Sequence, residues 1–223
     1  MQYTYHKDSS TETIEIEAEL HKYLFKVRRH NIDEDLYFRN LKDKNIYRYR
    51  VQSINRRKTI LSLQGSEEKI VEPQKELHIG WCKIEPKSIE KVIASLNELG
   101  VTKITFINCE FSQKKYTINY EKLEKLLINS SQQSGRSSII ALEESDSLKT
   151  FLSENKESYM FNFSKNLVDD VKSDIRTIVI GCEGGFSDEE ITLVEKQKIV
   201  GIDSSLILRS ETGVITLASK ISV

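Results

Sequence analysis

The sequence predicts an α/β protein in two parts, and three observations carry that reading. The first seventy residues read mainly as short strands, the stretch after Pro73 alternates strand with helix, and basic charge gathers in the first part. Strands are expected over 13–17, 35–39, 46–54 and 58–63, with a helix-like ELHKYLFKVRR between the first two. In IYRYRVQSI the period-two alternation puts Arg48 and Arg50 on one face and Tyr47, Tyr49 and Val51 on the other. A small β-barrel, apolar inside and basic outside, suits this pattern. The polar QGSEEKIVEPQKE marks a linker, which sets domains of 1–70 and 71–223.

Past the linker the expected order is strand 77–81, helix 88–99, strand 103–107, helix 120–134, strand 138–142, a short helix, and strands 158–163 and 177–180. A helix, a strand-like run at 205–208 and a terminal helix complete it. In the 88–99 helix Ile89, Val92, Ile93, Leu96 and Leu99 recur at helical spacing, and Gly100 supplies the stop. The next helix ends in NSSQQSGR, too polar to pack in a core. In the terminal helix Leu217, Ala218 and Ile221 form a short apolar stripe that a monomer would have to cover.

At 223 residues with 38% apolar content the chain can bury ordinary cores. No apolar run approaches the roughly 18 residues needed to span a bilayer. MQYTYHKDSSTETIE also lacks a signal peptide's apolar segment, so a cytoplasmic location is expected. Cys82, Cys109 and Cys182 are odd in number and widely spaced; they fit neither a disulfide framework nor a zinc site, and buried free thiols are expected. His6, His21, His30 and His78 add no metal-ligand spacing, so no metal is expected. The net charge is −1, yet residues 22–58 hold twelve Lys/Arg against four acids. Such a cluster suits a phosphate-binding surface or a solvated face equally.

The most specific signal lies near the C-terminus. VIGCEGGFSDEE (179–190) joins a β-branched strand to a helix through Gly181, Gly184 and Gly185, which let backbone approach a ligand closely. Ser187 with Glu190 makes a capping box for that helix. LRSETGVITLAS (208–219) follows, with Arg209 and Glu211 at the start of the terminal helix.

Together IGCEGGFS and LILRSETG resemble the C-terminal signature of the RsmE family, the 16S ribosomal RNA uridine-N3 methyltransferases of the SPOUT superfamily. LNELGV (96–101) and QQSGR (132–136) are similar to the same family. The resemblance implies a SPOUT domain with a C-terminal trefoil knot, a PUA-like RNA-binding barrel before it, and a homodimer acting on 16S rRNA of the small ribosomal subunit. It also implies a pocket for S-adenosylmethionine between the knot loops. On this chain that pocket falls on Phe161, Asn162, Phe163 and Ser164, on Ile180, Gly181, Cys182, Gly184 and Gly185, and on Ile202, Ser204, Ser205, Leu206, Leu208 and Thr212. A side chain at 184 or 185 would obstruct it.

Methylation at uridine N3 requires loss of the imide proton and stabilisation of charge on the ring oxygens. Arg209 is the candidate for stabilising that charge, and Glu183 or Glu211 for accepting the proton or anchoring Arg209. An Arg209–Glu211 ion pair that only fastens the knot is the alternative. RNA contact is expected from Arg29, Arg48, Arg50 and Arg136. Cys182 replaces the family's proline, Ser204 a glycine and Leu206 an arginine. These departures leave open a SPOUT enzyme for another rRNA or tRNA nucleotide, and a non-catalytic RNA-binding ribosome-assembly protein.

Overall fold

A computed structural model describes residues 3–113 and 115–223. The chain divides into two compact units, one of residues 1–72 with 131–138, the other of 73–130 with 139–223. The first holds β1 (Thr4–Tyr5), β2 (Thr13–Glu17), α1 (Ala18–Lys22) continuing into a π-helical turn (Tyr23–Val27), β3 (Leu36–Arg39), β4 (Asn45–Ile54) and β5 (Lys58–Glu68). They form a curled sheet in the order β1-β3-β4-β5-β2, antiparallel except for β1 on β3. Ile14, Ile16, Leu24, Leu36, Phe38, Tyr47, Tyr49 and Leu61 fill its core. The β4 alternation is as expected: Tyr47 and Tyr49 are buried, while Arg48 and Arg50 face out. β5 runs to Glu68, beyond its expected end, because its second half pairs with the start of β4 past a bulge at Arg48/Tyr49.

The second unit is built on β6 (His78–Cys82), α2 (Pro86–Glu98), β7 (Lys103–Ile107), α3 (Tyr120–Ser134, its last turn grouped with the first unit), β8 (Ala141–Ser145), α4 (Leu148–Glu154), β9 (Tyr159–Phe161), α5 (Val168–Val171), β10 (Thr177–Ile180), α6 (Asp188–Ile191), β11 (Ile199–Val200) and α7 (Ser210–Ser222). Its six strands are all parallel in the order β11-β9-β10-β6-β7-β8. From β6 the chain builds outward through β7 and β8, then continues on the other side of β6. The crevice at the strand ends between β6 and β10 is therefore a topological switch point, where such sheets bind ligands. Among the described residues no helix is long and apolar enough to cross a membrane.

Four expectations are corrected. β8 starts three residues late because the chain before it is still held in the first unit: Ser137 N–H donates to Val71 O (2.9 Å) and Ser138 Oγ to Glu72 (2.6 Å). Residues 205–208 are not a strand, since β11 already occupies the sheet edge beside β9. Leu217, Ala218 and Ile221 do not form an outer stripe; they are buried in the unit's own core, where α7 packs against α2. Cys82 and Cys109 are not free thiols but a disulfide. Cys82 lies opposite Ile107 across the parallel β6–β7 pair, so residues 27 apart in sequence stand 5.6 Å apart at Cα. Cys182 is free and buried.

Candidate active site at the strand ends of the second unit

β10 ends at buried Ile180, and the chain then turns tightly, with Gly185 N–H donating to Cys182 O (2.9 Å). Gly185 has φ +71°, a left-handed conformation that favours glycine. The glycines serve different ends. A Cβ at 181 would lie 3.0 Å from Gly185 Cα, and one at 184 would lie 2.9 Å from Phe111 Cβ, whereas one at 185 would meet nothing within 4 Å. The side chain missing at 184 thus makes room first for Phe111. Open space lies at 185.

The turn is braced from both sides. Ser187 and Glu190 form the expected capping box, and the Glu190 carboxylate also accepts the Glu110 N–H (2.9 Å), tying in the loop after β7. On the other side Ser210 Oγ donates to Gly181 O (2.6 Å) and accepts from Trp81 Nε1 (2.9 Å). Burial raises the Cys182 thiol pKa, so at neutral pH it is a packing group rather than a thiolate.

Next to this turn β9 and β11 are stitched closely. Asn162 N–H donates to Val200 O, Gly201 N–H to Asn166 O and Ser164 Oγ to Ile199 O. Gly201 sits tightly against backbone: a Cβ there would sit 2.8 Å from Ser164 O and 3.1 Å from Asn162 O. Phe161, Asn162, Ser164, Ile202 and Leu208 are half-buried. Phe163, Leu206 and Ile207 instead project outward, 82%, 74% and 81% exposed, and Ser204, Ser205 and Thr212 are exposed with them. The 203–207 segment is held by local bonds such as Leu206 N–H to Ser204 Oγ (3.1 Å).

Arg209 is exposed and immediately precedes α7, its carbonyl accepting the Gly213 N–H (2.8 Å). Among the described residues no ion pair joins it to Glu211 or Glu183, so the fastening pair is not formed. Glu183 is exposed and Glu211 half-exposed. Among the described residues no cluster of His, Cys, Asp or Glu could hold a metal ion.

The expected RNA-contacting residues fare unequally. Arg29 is exposed. Arg48 and Arg50 are exposed but share Asp35, at 3.6 and 2.5 Å. Arg136 is buried, its Nε on Ser138 Oγ (3.1 Å) and 3.8 Å from the Glu72 carboxylate; it fastens the first unit and does not face an RNA. Sequence reasoning missed Trp81, Phe111, Gly201 and Ser210. Only Gly201 carried a local signal, a glycine directly after the β-branched Ile199–Val200 strand.

The RNA methyltransferase domain family matches residues 71–222. Over 222 residues, 98% of each chain, the sequence is 32% identical to ribosomal RNA small subunit methyltransferase E of Helicobacter pylori strain J99. The chain belongs to the ribosomal RNA small subunit methyltransferase E family. It is accordingly an enzyme, and the glycine turn and Arg209 lie within the matched methyltransferase domain. A methyltransferase of Legionella pneumophila, solved with S-adenosylmethionine bound, is 25% identical with a TM-score of 0.74 over 98% of this chain and 95% of that one. The methyltransferase E of Neisseria gonorrhoeae, solved with the same cofactor, shares the fold at a TM-score of 0.79 and 15% identity over 98% and 95% of the two chains.

Proposed function

We propose that this chain transfers a methyl group from S-adenosylmethionine to N3 of a uridine in 16S rRNA of the small ribosomal subunit. The supporting observation is the open space at Gly185 on the glycine turn after β10, with Arg209, at the start of α7, paired with neither candidate glutamate. These residues suit the cofactor: the glycine turn offers backbone groups without side chains, and the aliphatic and aromatic walls suit an adenosine. Residues 161–164, 180–185 and 202–208 would hold it, with Thr212 beside them. When bound, it supplies an electrophilic methyl on a sulfonium.

The chain's own task is the uracil. Arg209, exposed and free of Glu211 and Glu183, is available to stabilise negative charge on the uracil oxygens as the imide proton leaves. Glu183 or Glu211 accepts that proton. The basic first unit holds the RNA, and the functional division falls at 1–70 and 71–223. The enzyme works in the cytoplasm. A homodimer is also proposed, on the resemblance alone, since the Leu217 stripe that argued for it is internal; sedimentation at micromolar protein decides it.

A second reading has one observation in its favour: Leu206, where the family has an arginine, is 74% exposed in the segment just before Arg209. That suits a different target nucleotide in rRNA or tRNA. Mass-spectrometric mapping of RNA from a deletion strain separates the two readings. Loss of one 3-methyluridine from 16S rRNA supports the first, and loss of a different modified nucleotide supports the second.

A further inference from the structure

In the first unit a concavity of about 460 Å3 opens between α1 and the β4–β5 hairpin, lined by Glu17, His21, Lys22, Lys26, Arg56 and Arg57. Its cations come from two elements. Lys22 ends α1 and Lys26 lies one turn further along the same helical run, while Arg56 and Arg57 form the hairpin turn. That turn is built to hold its shape, with Asn55 Oδ1 accepting the N–H groups of Arg57 (2.9 Å) and Lys58 (3.0 Å). Ala18, also on the wall, has φ +47°, a conformation alanine rarely adopts, and it folds α1 sharply back from β2. Buried His21 then pins the helix to β5 through Thr59 Oγ1 (2.9 Å).

The distribution of counter-charges is the deciding observation. Arg48 and Arg50 share Asp35, Lys58 is paired with Glu15, and Arg136 lies beside Glu72. Arg39 is buried, donating to the carbonyls of Lys44, Asn45 and Lys69. Among the described residues Lys22, Lys26, Arg56 and Arg57 enter no ion pair, and all four are exposed. The single carboxylate among the lining residues is Glu17, so the four cations outnumber it and leave the wall net positive. Four cations around one hollow repel each other, so the fold keeps an uncompensated positive potential there. The hollow is far larger than one phosphate and open to solvent, which suits a chain of phosphates rather than a small enclosed anion.

We infer that this concavity grips the sugar–phosphate backbone of the substrate RNA, and that the Arg48–Arg50 face does not. The inference rests on the proposed RNA methylation and names where the substrate is held. Its chemistry is charge pairing with phosphates, so it confers affinity and salt sensitivity rather than base choice.

The test is binding of a labelled, mixed-sequence single-stranded RNA by the full chain, measured by fluorescence polarisation over a range of salt. Lys22→Gln/Lys26→Gln and Arg56→Gln/Arg57→Gln should each weaken binding and flatten the slope of log affinity against log salt by about one to two, at roughly 0.7 for each single-strand phosphate that is no longer neutralised. Arg48→Gln/Arg50→Gln should change the slope by less than either pair. Affinity for S-adenosylmethionine should stay unchanged in all three. A folded quadruple variant with the wild-type slope overturns the inference, as does loss of binding to phosphatidylserine vesicles with RNA binding intact. A wild-type chain that binds no RNA would instead remove the underlying methylation reading.

Discussion

Trp81 and Ser210, 129 residues apart, meet in a buried hydrogen bond of 2.9 Å. Ser210 in turn donates to Gly181 O, so the strand β6, the glycine turn and the start of α7 are joined at one hydroxyl. Ser210→Ala leaves the indole N–H buried without that partner. The expected loss is about 1–3 kcal/mol, together with weaker S-adenosylmethionine binding. Urea unfolding and calorimetry check both; wild-type values in each would show the joint to be idle.

Arg209→Ala should lower methyl transfer about a hundredfold, a usual loss for one transition-state donor, while cofactor affinity stays within a few-fold. Because Arg209 pairs with neither Glu211 nor Glu183, its removal should leave the melting temperature unchanged. Unaffected turnover in the folded variant would exclude a role at the uracil.

The glycines should separate by function. Gly185→Val places a side chain in open space, so it should abolish cofactor binding for a stability loss of about 1–2 kcal/mol from the left-handed backbone. Gly201→Ala drives a methyl against two backbone oxygens and should destabilise the fold by at least about 2 kcal/mol. Gly184→Ala presses on Phe111 instead. Thermal melts beside calorimetric titrations distinguish the three, and wild-type cofactor affinity in Gly185→Val would move the pocket elsewhere.

His78 sets an acid limit. Burial, with Lys103 adding to it, lowers its pKa to about 4, and it sits on Thr105 Oγ1 (2.8 Å) and the Phe151 ring. The unfolded chain protonates near 6.5, so between 6.5 and 4 the unfolded state binds more protons and stability falls as pH drops. Above that window nothing is lost. The size is on the order of 2 kcal/mol once solvent screening is allowed for; His6, also lowered by burial, acts in the same direction. Urea midpoints at pH 7 and pH 5 should differ less in His78→Gln than in the wild type; equal differences would clear His78.

Local chemistry was readable wherever neighbours in sequence are neighbours in space. The Ser187–Glu190 capping box, the outward Arg48 and Arg50 and the helix stop at Gly100 follow from spacing alone. Long-range pairing was not. Cys82 and Cys109 become partners through β6–β7 register, and Leu206 and Ile207 look like a strand yet join no sheet, the place beside β9 being taken by β11. The amphipathic stripe of α7 gave no hint of which surface would cover it. Charge counting failed similarly, since it cannot tell Arg39, buried and donating to the carbonyls of Lys44, Asn45 and Lys69, from an arginine facing solvent.

The turn at 181–185 carries a consequence for how such a pocket changes over time. Three of its five residues have no side chain, so it offers few positions at which substitution can adjust the fit. Its stiffness is borrowed from Phe111, Glu190 and Ser210. Drift in cofactor affinity between lineages should therefore trace to those supports and to the one small side chain at 182, while the three glycines stay fixed.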